Sequence, residues 1–181
     1  MILETVVMKS PIGRLTLVAK GDALVSLAFE NEDEAARRWL SRRYAELEMK
    51  EHRDPAGAVS ALKAYFAGDL AALERVKVDT GGTEFQRAVW SALRRIPAGT
   101  TSSYAALAAE VGRPTAVRAV GAANGSNPVA VIVPCHRVIA ADGTLCGYGG
   151  GLDRKRWLLA HEGAAGVRGE ASRGSNQIPL L

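Results

Sequence analysis

The sequence has few cysteines, few aromatic residues and no long apolar run. Its 181 residues contain two cysteines, Cys135 and Cys146, which excludes a disulfide-stapled fold and leaves each thiol to be considered as a chemical group. No apolar segment reaches the roughly 18 residues of a membrane span. Glu4 lies where a secretory signal would be basic or apolar. We therefore expect a cytoplasmic protein, and the excess of arginine over lysine indicates a bacterial source.

Charge is unevenly distributed along the chain. Residues 1–80 carry 12 Lys and Arg against 13 Asp and Glu, whereas residues 81–181 carry 11 against 6. The basic half is therefore the candidate for binding a polyanion such as nucleic acid. The polar sequence Asp79–Gly82 falls where the balance changes, and we place a domain boundary there. This predicts domains at 1–80 and 81–163, followed by a flexible tail at 164–181.

The first domain is predicted to contain a small antiparallel sheet followed by helices. Turn residues separate three alternating segments, which is typical of a β-meander. Asp54 followed by Pro55 is typical of a helix start. The predicted elements are strands at 2–8, 14–19 and 24–29 and helices at 32–47 and 56–66.

Short helices are predicted in the basic half. Thr83 and Gln86 have the spacing of a capping box at the start of the first of them. The helices are expected at about 84–95, 103–111 and 115–124. The last two are joined by a short turn containing Gly112, an arrangement that fits a helix-turn-helix and equally an ordinary helical hairpin.

The outward face of the third of these helices carries one long side chain among small ones. Helical spacing places Arg118, Ala119 and Ala122 away from Val120 and Asn124. Reading base edges in the major groove takes several Arg, Asn or Gln side chains, and this helix lacks them. Small residues instead allow a close approach to the minor groove, with one arginine free to insert into the base stack. The helix therefore predicts DNA scanning without sequence preference.

The segment with the clearest chemistry begins at Pro134. It follows the apolar run 129–133, which predicts a buried strand that the proline ends. A cysteine is a nucleophile only as a thiolate, and His136 and Arg137 next to Cys135 can supply a base and a positive charge. Adjacent side chains often point apart, however, and free cysteines are commonly inert core residues. Residue types alone leave both interpretations open.

A glycine-rich segment and a poorly placed carboxylate follow. Gly147–Gly151 includes Tyr148 and lets a ligand approach the backbone, but no Gly-Lys-Ser/Thr follows as in a P-loop. Asp153 is predicted to cap a helix that ends at 161–163. Glu162 at that C-terminus gains nothing from the helix dipole, which predicts either solvent exposure or a specific partner such as an imidazole.

Four motifs occur in order: Arg118-Ala119-Val120-Gly121, Asn127-Pro128, Pro134-Cys135-His136-Arg137-Val138-Ile139 and Leu158-Leu159-Ala160-His161-Glu162. They closely resemble the O6-alkylguanine-DNA alkyltransferase family, strongly from Thr83 to Gly163 and weakly over 1–80. The resemblance implies an α/β two-domain fold. Its N-terminal domain would be ribonuclease-H-like, and its mainly α, winged-helix-like C-terminal domain would carry the helix-turn-helix and the active site.

The resemblance implies the activity of a methylated-DNA-[protein]-cysteine S-methyltransferase. The alkyl group of O6-alkylguanine would pass irreversibly and once per molecule to Cys135 after the base is flipped out of double-stranded DNA. Whether O4-alkylthymine is a second substrate stays open on the sequence. His136, oriented by Glu162, would deprotonate the thiol through a water. Tyr104 would hydrogen-bond or protonate the leaving base, and Asn127 would tie the recognition helix to the active-site turn.

The resemblance also assigns surfaces and partners. Arg118 would fill the gap left by the flipped base. The implied residues are Thr115, Arg118, Ala119 and Ala122 for DNA and Ala130, Val138, Tyr148 and Gly149 for the substrate pocket. No cofactor is expected, and His52, His136 and His161 show no metal-ligand spacing, so no metal is expected. We expect a nucleoid-associated monomer.

Several alternatives remain open on the sequence. A non-enzymatic module that recognises alkylated bases would not need the cysteine that this chain has, and a cysteine hydrolase using Cys135 and His136 would turn over. Ala130 and Gly149 replace a proline and a serine of the animal members, which changes the expected range of adduct sizes. Cys146 replaces a small loop residue, and it could accept alkyl groups, oxidise with Cys135 or have no role.

The end of the sequence predicts a further partner. Gln177, Leu180 and Leu181 resemble the short peptides by which bacterial repair proteins bind the replication sliding clamp. An extended peptide on a flexible linker, anchored by two leucines, is a physically reasonable tether. A frayed or self-packed tail is the alternative.

Overall fold

The computed structural model describes residues 1–168, which form six β-strands and six α-helices. They divide into two units. The first is Met1–Gly81 together with Pro128–Ile132, and the second is Gly82–Asn127 together with the described residues from Val133 onward. The predicted domains at 1–80 and 81–163 and the predicted tail at 164–181 remain a proposal, and residues 169–181 of that tail lie outside the described part of the chain.

The first unit is built on a four-stranded sheet in the order β3-β2-β1-β4. The predicted meander is present as β1 (Ile2–Ser10), β2 (Gly13–Lys20) and β3 (Ala23–Phe29), each antiparallel to the next. Residues that alternate along β2, such as Leu17, are fully buried. β4 (Glu48–Glu51) lies on the other side of β1 and is parallel to it.

The first helix is shorter than predicted, and the strand that follows it was not predicted. α1 (Asp33–Arg43) ends before Tyr44, whose φ of −126° and ψ of 117° are extended. Tyr44 packs in a core cluster with Leu3 and Leu40, so the chain leaves the helix to bury this ring. All four residues of β4 are exposed, and a strand without a buried face leaves no alternating pattern in the sequence.

Asp54 was predicted to cap the second helix directly, but Gly57 occupies the N-cap position and the Asp54 side chain reaches the first turn from further back. The chain first makes a 3₁₀ turn (Pro55–Gly57) and then forms α2 (Ala58–Phe66), two residues later than expected. The Asp54 carboxylate accepts hydrogen bonds from the backbone N–H groups of Val59 at 2.8 Å and Ser60 at 3.3 Å. The carboxylate thereby satisfies free N–H groups of the first helical turn.

The apolar run before Cys135 is a buried turn, and the prediction of a strand there was wrong. Pro128–Ile132 bonds to β3, where Leu27 N–H donates to the Pro128 carbonyl at 2.9 Å and the Leu27 carbonyl accepts from Ala130 N–H at 3.3 Å. Val131 is fully buried and has a φ of +70°. For a β-branched residue this conformation costs about 1–3 kcal/mol, and it ends the pairing after one bridge.

The second unit begins with the predicted capping box. At the start of α3 (Glu84–Arg94), Thr83 Oγ1 accepts from Gln86 N–H at 3.2 Å, and Gln86 Oε1 accepts from Thr83 N–H at 2.9 Å. The buried indole of Trp90 donates to the Ala123 carbonyl at 2.8 Å. This bond joins α3 to the helix that contains Ala123.

The two helices predicted for a helix-turn-helix are α4 (Tyr104–Glu110) and α5 (Val117–Gly125). Ser103 caps α4 by accepting a hydrogen bond from Ala106 N–H at 3.1 Å. The buried face of α5 contains Val120, as its spacing predicts. Two short strands of the same unit, β5 (Ser102–Ser103) and β6 (Val138–Ile139), pair in parallel.

The last described helix, α6 (Leu152–His161), ends next to Glu162. Asp153 was predicted to cap this helix, but Gly151 occupies the cap position. The Asp153 side chain instead accepts from Arg156 at 3.0 Å within the first turn. Over residues 1–168, no helix has the length and apolar character needed to cross a bilayer.

Candidate active site

Cys135 opens a 3₁₀ turn that is held by its neighbours in the chain. The turn runs from Cys135 to Arg137, and the Cys135 N–H donates to the Val133 carbonyl at 2.8 Å. Asn127 uses its side-chain amide twice, donating to the same Val133 carbonyl at 2.8 Å and to Cys135 Sγ at 3.1 Å. The cysteine is 6% exposed, so the thiol is nearly enclosed and is oriented by a polar donor. An amide aimed at sulfur favours the thiolate over the neutral thiol.

His136, Arg137 and Glu162 form one buried network. His136 Nε2 lies 2.9 Å from Glu162 Oε1. Arg137 binds the same carboxylate with two nitrogens, Nε to Oε2 at 2.9 Å and Nη2 to Oε1 at 2.8 Å, and its Nη1 donates to the Ile96 carbonyl. Of the two alternatives for Glu162, the specific partner is therefore correct. A carboxylate with a bidentate arginine and an imidazole has the strong, charge-assisted bonds that can offset its burial.

The electrostatics of this network make Glu162 an anion and His136 a neutral ring at neutral pH. Burial by itself would raise the pKa of Glu162, but hydrogen bonds from His136 and Arg137 hold that pKa well below its ordinary range. Burial lowers the pKa of His136 below its ordinary value, in spite of the bond to Glu162. Because an ionised carboxylate is acceptor-only, the His136 proton must lie on Nε2. Nδ1 then carries a lone pair and can act as a base.

That basic nitrogen is enclosed and has no hydrogen-bond partner within residues 1–168. His136 is fully buried, and among the described residues Nδ1 has no hydrogen-bond partner. A buried acceptor without a partner is costly and is found where it has another use. Nδ1 is therefore a buried base in the same 3₁₀ turn as Cys135.

Lys155 is a second buried cation, which sequence reasoning did not assign to the site. Its ammonium donates to the carbonyls of Val138 at 2.6 Å, Cys146 at 2.9 Å and Gly147 at 3.5 Å. Burial lowers the pKa of Lys155. The lysine ties the strand after the Cys135 turn to the loop that carries Tyr148. In the sequence, Lys155 lies three and four residues before Leu158 and Leu159, which places its charge on the buried face of the predicted helix. That charge on an apolar face was the signal that could have identified it.

Arg137 also has different partners from those expected. The sequence suggested that its charge activates Cys135. Its guanidinium instead donates hydrogen bonds to the Glu162 carboxylate and the Ile96 carbonyl. The guanidinium therefore acts on the site through the carboxylate. Nothing in the sequence linked positions 137 and 162, which are 25 residues apart.

Tyr104 lies at the start of α4 with its hydroxyl near the second thiol. Cys146 Sγ donates to Tyr104 Oη at 3.8 Å. Burial is the main cause of a strongly raised pKa for Tyr104. The phenol therefore stays protonated and can serve as a hydrogen-bond donor.

The predicted pocket residues differ in their exposure. Tyr148 is half-buried and Gly149 is exposed, both in the loop before α6, whereas Val138 is fully buried. Ala130 is buried and belongs to the segment of the first unit described above. Their part in a substrate pocket remains a prediction.

The predicted DNA-contacting residues share one exposed surface around the start of α5. The exposed residues are Thr115, Arg118, Ala119 and Ala122. Val120 and Ala123 lie on the buried side of the same helix. An exposed strip of small side chains with one arginine is the shape predicted for a helix that approaches DNA closely.

The described residues contain no group of three His, Cys, Asp or Glu side chains able to hold a metal ion. His136 is hydrogen-bonded to Glu162, and Arg137 binds the same carboxylate. The other two histidines lie outside this network. The expectation of a metal-free, cofactor-free protein stays a prediction.

Family models cover both units of the chain. The 6-O-methylguanine DNA methyltransferase ribonuclease-like domain matches residues 3–80, and the DNA binding domain of the same family matches residues 84–164. The two together define a protein with a ribonuclease-like and a DNA-binding domain. The chain belongs to the 6-O-methylguanine DNA methyltransferase family, which confirms the resemblance drawn from its motifs.

Individual relatives are similar over different lengths. The methylated-DNA--protein-cysteine methyltransferase of Salmonella typhimurium is 58% identical over 110 residues, which cover 61% of this chain and 64% of that relative. The protein of the same name from Mycolicibacterium paratuberculosis is 49% identical over 155 residues, covering 84% of this chain and 88% of the relative. The first alignment thus spans less than two thirds of the Salmonella protein.

Solved structures of a mycobacterial protein share the fold. The crystal structure of Mycobacterium tuberculosis O6-methylguanine methyltransferase matches with a TM-score of 0.74 and 45% identity, covering 89% of this chain and 93% of that one. A structure of Mycobacterium tuberculosis OGT in complex with DNA matches with a TM-score of 0.72 and 42% identity, covering 92% and 97%. The α/β two-domain fold expected from the sequence is therefore confirmed.

Proposed function

We propose that this protein repairs DNA by transferring the alkyl group of O6-alkylguanine directly and irreversibly to Cys135. The observation that carries the proposal is the buried Arg137–Glu162–His136 network, which presents a neutral imidazole one residue from a nearly enclosed thiol. Relatives that bear the name methylated-DNA--protein-cysteine methyltransferase, and a mycobacterial structure determined with DNA, support the same reaction and substrate.

In the proposed reaction His136 prepares the nucleophile. Its Nδ1 takes the proton of the Cys135 thiol through one water molecule, and Glu162 holds the ring with Nε2 protonated. Asn127 donates to the sulfur and keeps the thiolate aimed at the substrate. The charge of Arg137 keeps Glu162 ionised, so the carboxylate stabilises the imidazolium that forms.

The transfer itself is a displacement at carbon. A bond forms between Cys135 Sγ and the alkyl carbon, the bond from that carbon to O6 breaks, and guanine leaves with the electron pair. Tyr104 donates its phenol proton, or a hydrogen bond, to a ring nitrogen as negative charge develops on the base. The product is a thioether, which has no easy hydrolytic exit, so each molecule reacts once.

DNA recognition is proposed for the exposed surface around α5. Small side chains at 115, 119 and 122 allow the helix to lie close to the duplex, and Arg118 enters the stack where the damaged base has been flipped out. Tyr148, Gly149 and Val138 are proposed to shape the pocket for that base. Such a surface scans DNA without a preferred sequence.

The stoichiometry of repair tests this proposal. With a duplex carrying one O6-methylguanine, we expect lesion removal to rise linearly with added protein and to stop at one lesion per molecule. Cys135→Ser should remove none while still binding the duplex, because a serine hydroxyl is far less acidic than a thiol. Many lesions removed per molecule would instead indicate a cysteine hydrolase. Lesion binding without removal by the wild type would indicate a damage-recognition module.

A sliding-clamp contact through Gln177, Leu180 and Leu181 is a separate proposal, and these residues lie outside the described part of the chain. Deleting residues 177–181 should abolish co-elution with a bacterial sliding clamp while leaving lesion removal unchanged. Absence of clamp binding by the full chain would contradict it. We also propose that the protein acts as a monomer associated with the nucleoid.

A further inference from the structure

Cys146 is held in a fixed place by the buried lysine of the site. Its carbonyl accepts a hydrogen bond from Lys155 Nζ at 2.9 Å, and the same ammonium donates to the Val138 carbonyl at 2.6 Å. Val138 directly follows the turn that carries Cys135. The backbone of Cys146 is therefore anchored to the strand next to the nucleophile.

The Cys146 side chain is directed at Tyr104. Its sulfur donates to the phenol oxygen at 3.8 Å, a length within the range for hydrogen bonds from sulfur. The phenol ring also lies close to α5, since a Cβ added at Gly121 would be 3.8 Å from Tyr104 Cδ1. Tyr104 is thus near both α5 and the Cys146 thiol.

The direction of this bond decides where the phenol proton can go. When the thiol donates, the phenol oxygen acts as the acceptor, and the hydroxyl proton is free to rotate away from the sulfur. Burial raises the pKa of Tyr104, which keeps that proton on the oxygen. A hydroxyl that accepts one hydrogen bond is also a better donor of another, because bonds in a chain polarise one another.

We propose that Cys146 is a positioning residue for alkyl transfer, whose thiol hydrogen-bonds the Tyr104 oxygen and so directs the phenol proton toward the leaving base. The inference rests on the proposed function, since it assigns Tyr104 the donor role described there. It gives the second thiol a use other than accepting alkyl groups or forming a disulfide with Cys135.

A double-mutant cycle in single-turnover repair tests this inference. Rates of methyl loss from a duplex with one O6-methylguanine are measured, with protein in excess, for wild type, Cys146→Ala, Tyr104→Phe and the double variant. The Cys146→Ala change should slow transfer about threefold to tenfold, the effect of one hydrogen bond. In the Tyr104→Phe background the same change should alter the rate less than about twofold, because the acceptor is already gone.

A merely structural role of Cys146 would give a different pattern. If Cys146 only stabilised its loop, Cys146→Ala would slow transfer by the same factor in the wild-type and Tyr104→Phe backgrounds. An equal loss of rate in both backgrounds, or no loss in either, would overturn the inference. Binding of lesion DNA, measured with the unreactive Cys135→Ser form with and without Cys146→Ala, should be unchanged, and a loss of affinity that accounts for the rate would also overturn it. If the proposed function itself is wrong, the wild type transfers no methyl group. That result is distinguishable from a failure of the inference about Cys146.

Discussion

Replacing Arg137 by methionine is expected to lower the free energy of unfolding of the second unit by about 3–5 kcal/mol. Methionine keeps much of the side-chain volume but removes the two guanidinium hydrogen bonds from the Glu162 carboxylate, which is 5% exposed. The carboxylate can escape by taking up a proton. At pH 7 that costs about 3.7 kcal/mol for a group with an ordinary pKa near 4.3, a value within the same range.

The measurement is urea unfolding followed by tryptophan fluorescence. A Trp39→Phe background removes the tryptophan of the first unit and leaves Trp90 and Trp157 to report on the second. The matched control is Arg95→Met, which removes an exposed arginine of the second unit paired with Glu110 at 2.8 Å and should change stability by no more than about 0.5 kcal/mol. A loss below about 1 kcal/mol in Arg137→Met would contradict the role given to the buried pair.

The same variant has a predictable pH dependence. In the wild type the pKa of Glu162 is lowered by folding, so its contribution is present above the ordinary carboxyl pKa of about 4.3 and fades as the pH falls below it. Without Arg137, burial is the dominant influence and raises the pKa of Glu162 instead. The stability difference between wild type and Arg137→Met should therefore shrink as the pH is lowered from 7 toward 4.

Replacing His136 by glutamine is expected to slow alkyl transfer about 10²-fold to 10⁴-fold at pH 7.5. Glutamine keeps an N–H donor for Glu162 but has no basic nitrogen in place of Nδ1. The wild-type rate should stay level as the pH falls to about 6.5, the ordinary pKa of histidine, because burial lowers the pKa of His136 and keeps the ring neutral there. The rate is measured in single turnover with a duplex that carries O6-methylguanine.

The control for this variant is its affinity for the same duplex, which should match that of the wild type. No residue of the exposed surface around α5 is altered by the change at 136. A rate within about tenfold of wild type, at equal affinity, would show that another group deprotonates Cys135. That result would overturn the role of the His136 imidazole but not the identity of the nucleophile.

Local signals in the sequence were sufficient for much of the fold. The Thr83–Gln86 capping box was predictable because it depends on two residues only three positions apart. The exposed face of α5 followed from helical spacing. β4 was not predictable, because its pairing with β1 joins residues more than 40 positions apart and it buries no face.

The site was predictable in its members but not in its connections. The motif around Cys135 identified the cysteine, the histidine and, through the family resemblance, Glu162. The bond from Arg137 to Glu162 and the three carbonyl bonds of Lys155 exist only once α6 packs beside the Cys135 turn. The left-handed Val131 likewise depends on the bonds that Pro128–Ile132 makes to β3, since valine by itself disfavours that conformation.

The identity of the alkyl acceptor is tested most directly by intact-protein mass spectrometry and peptide mapping after mixing with a duplex that carries one O6-methylguanine. We predict one added methyl group per molecule, located on Cys135, and none on the Cys135→Ser variant. A methyl group on Cys146, or an unmodified protein that has nevertheless repaired the duplex, would contradict it.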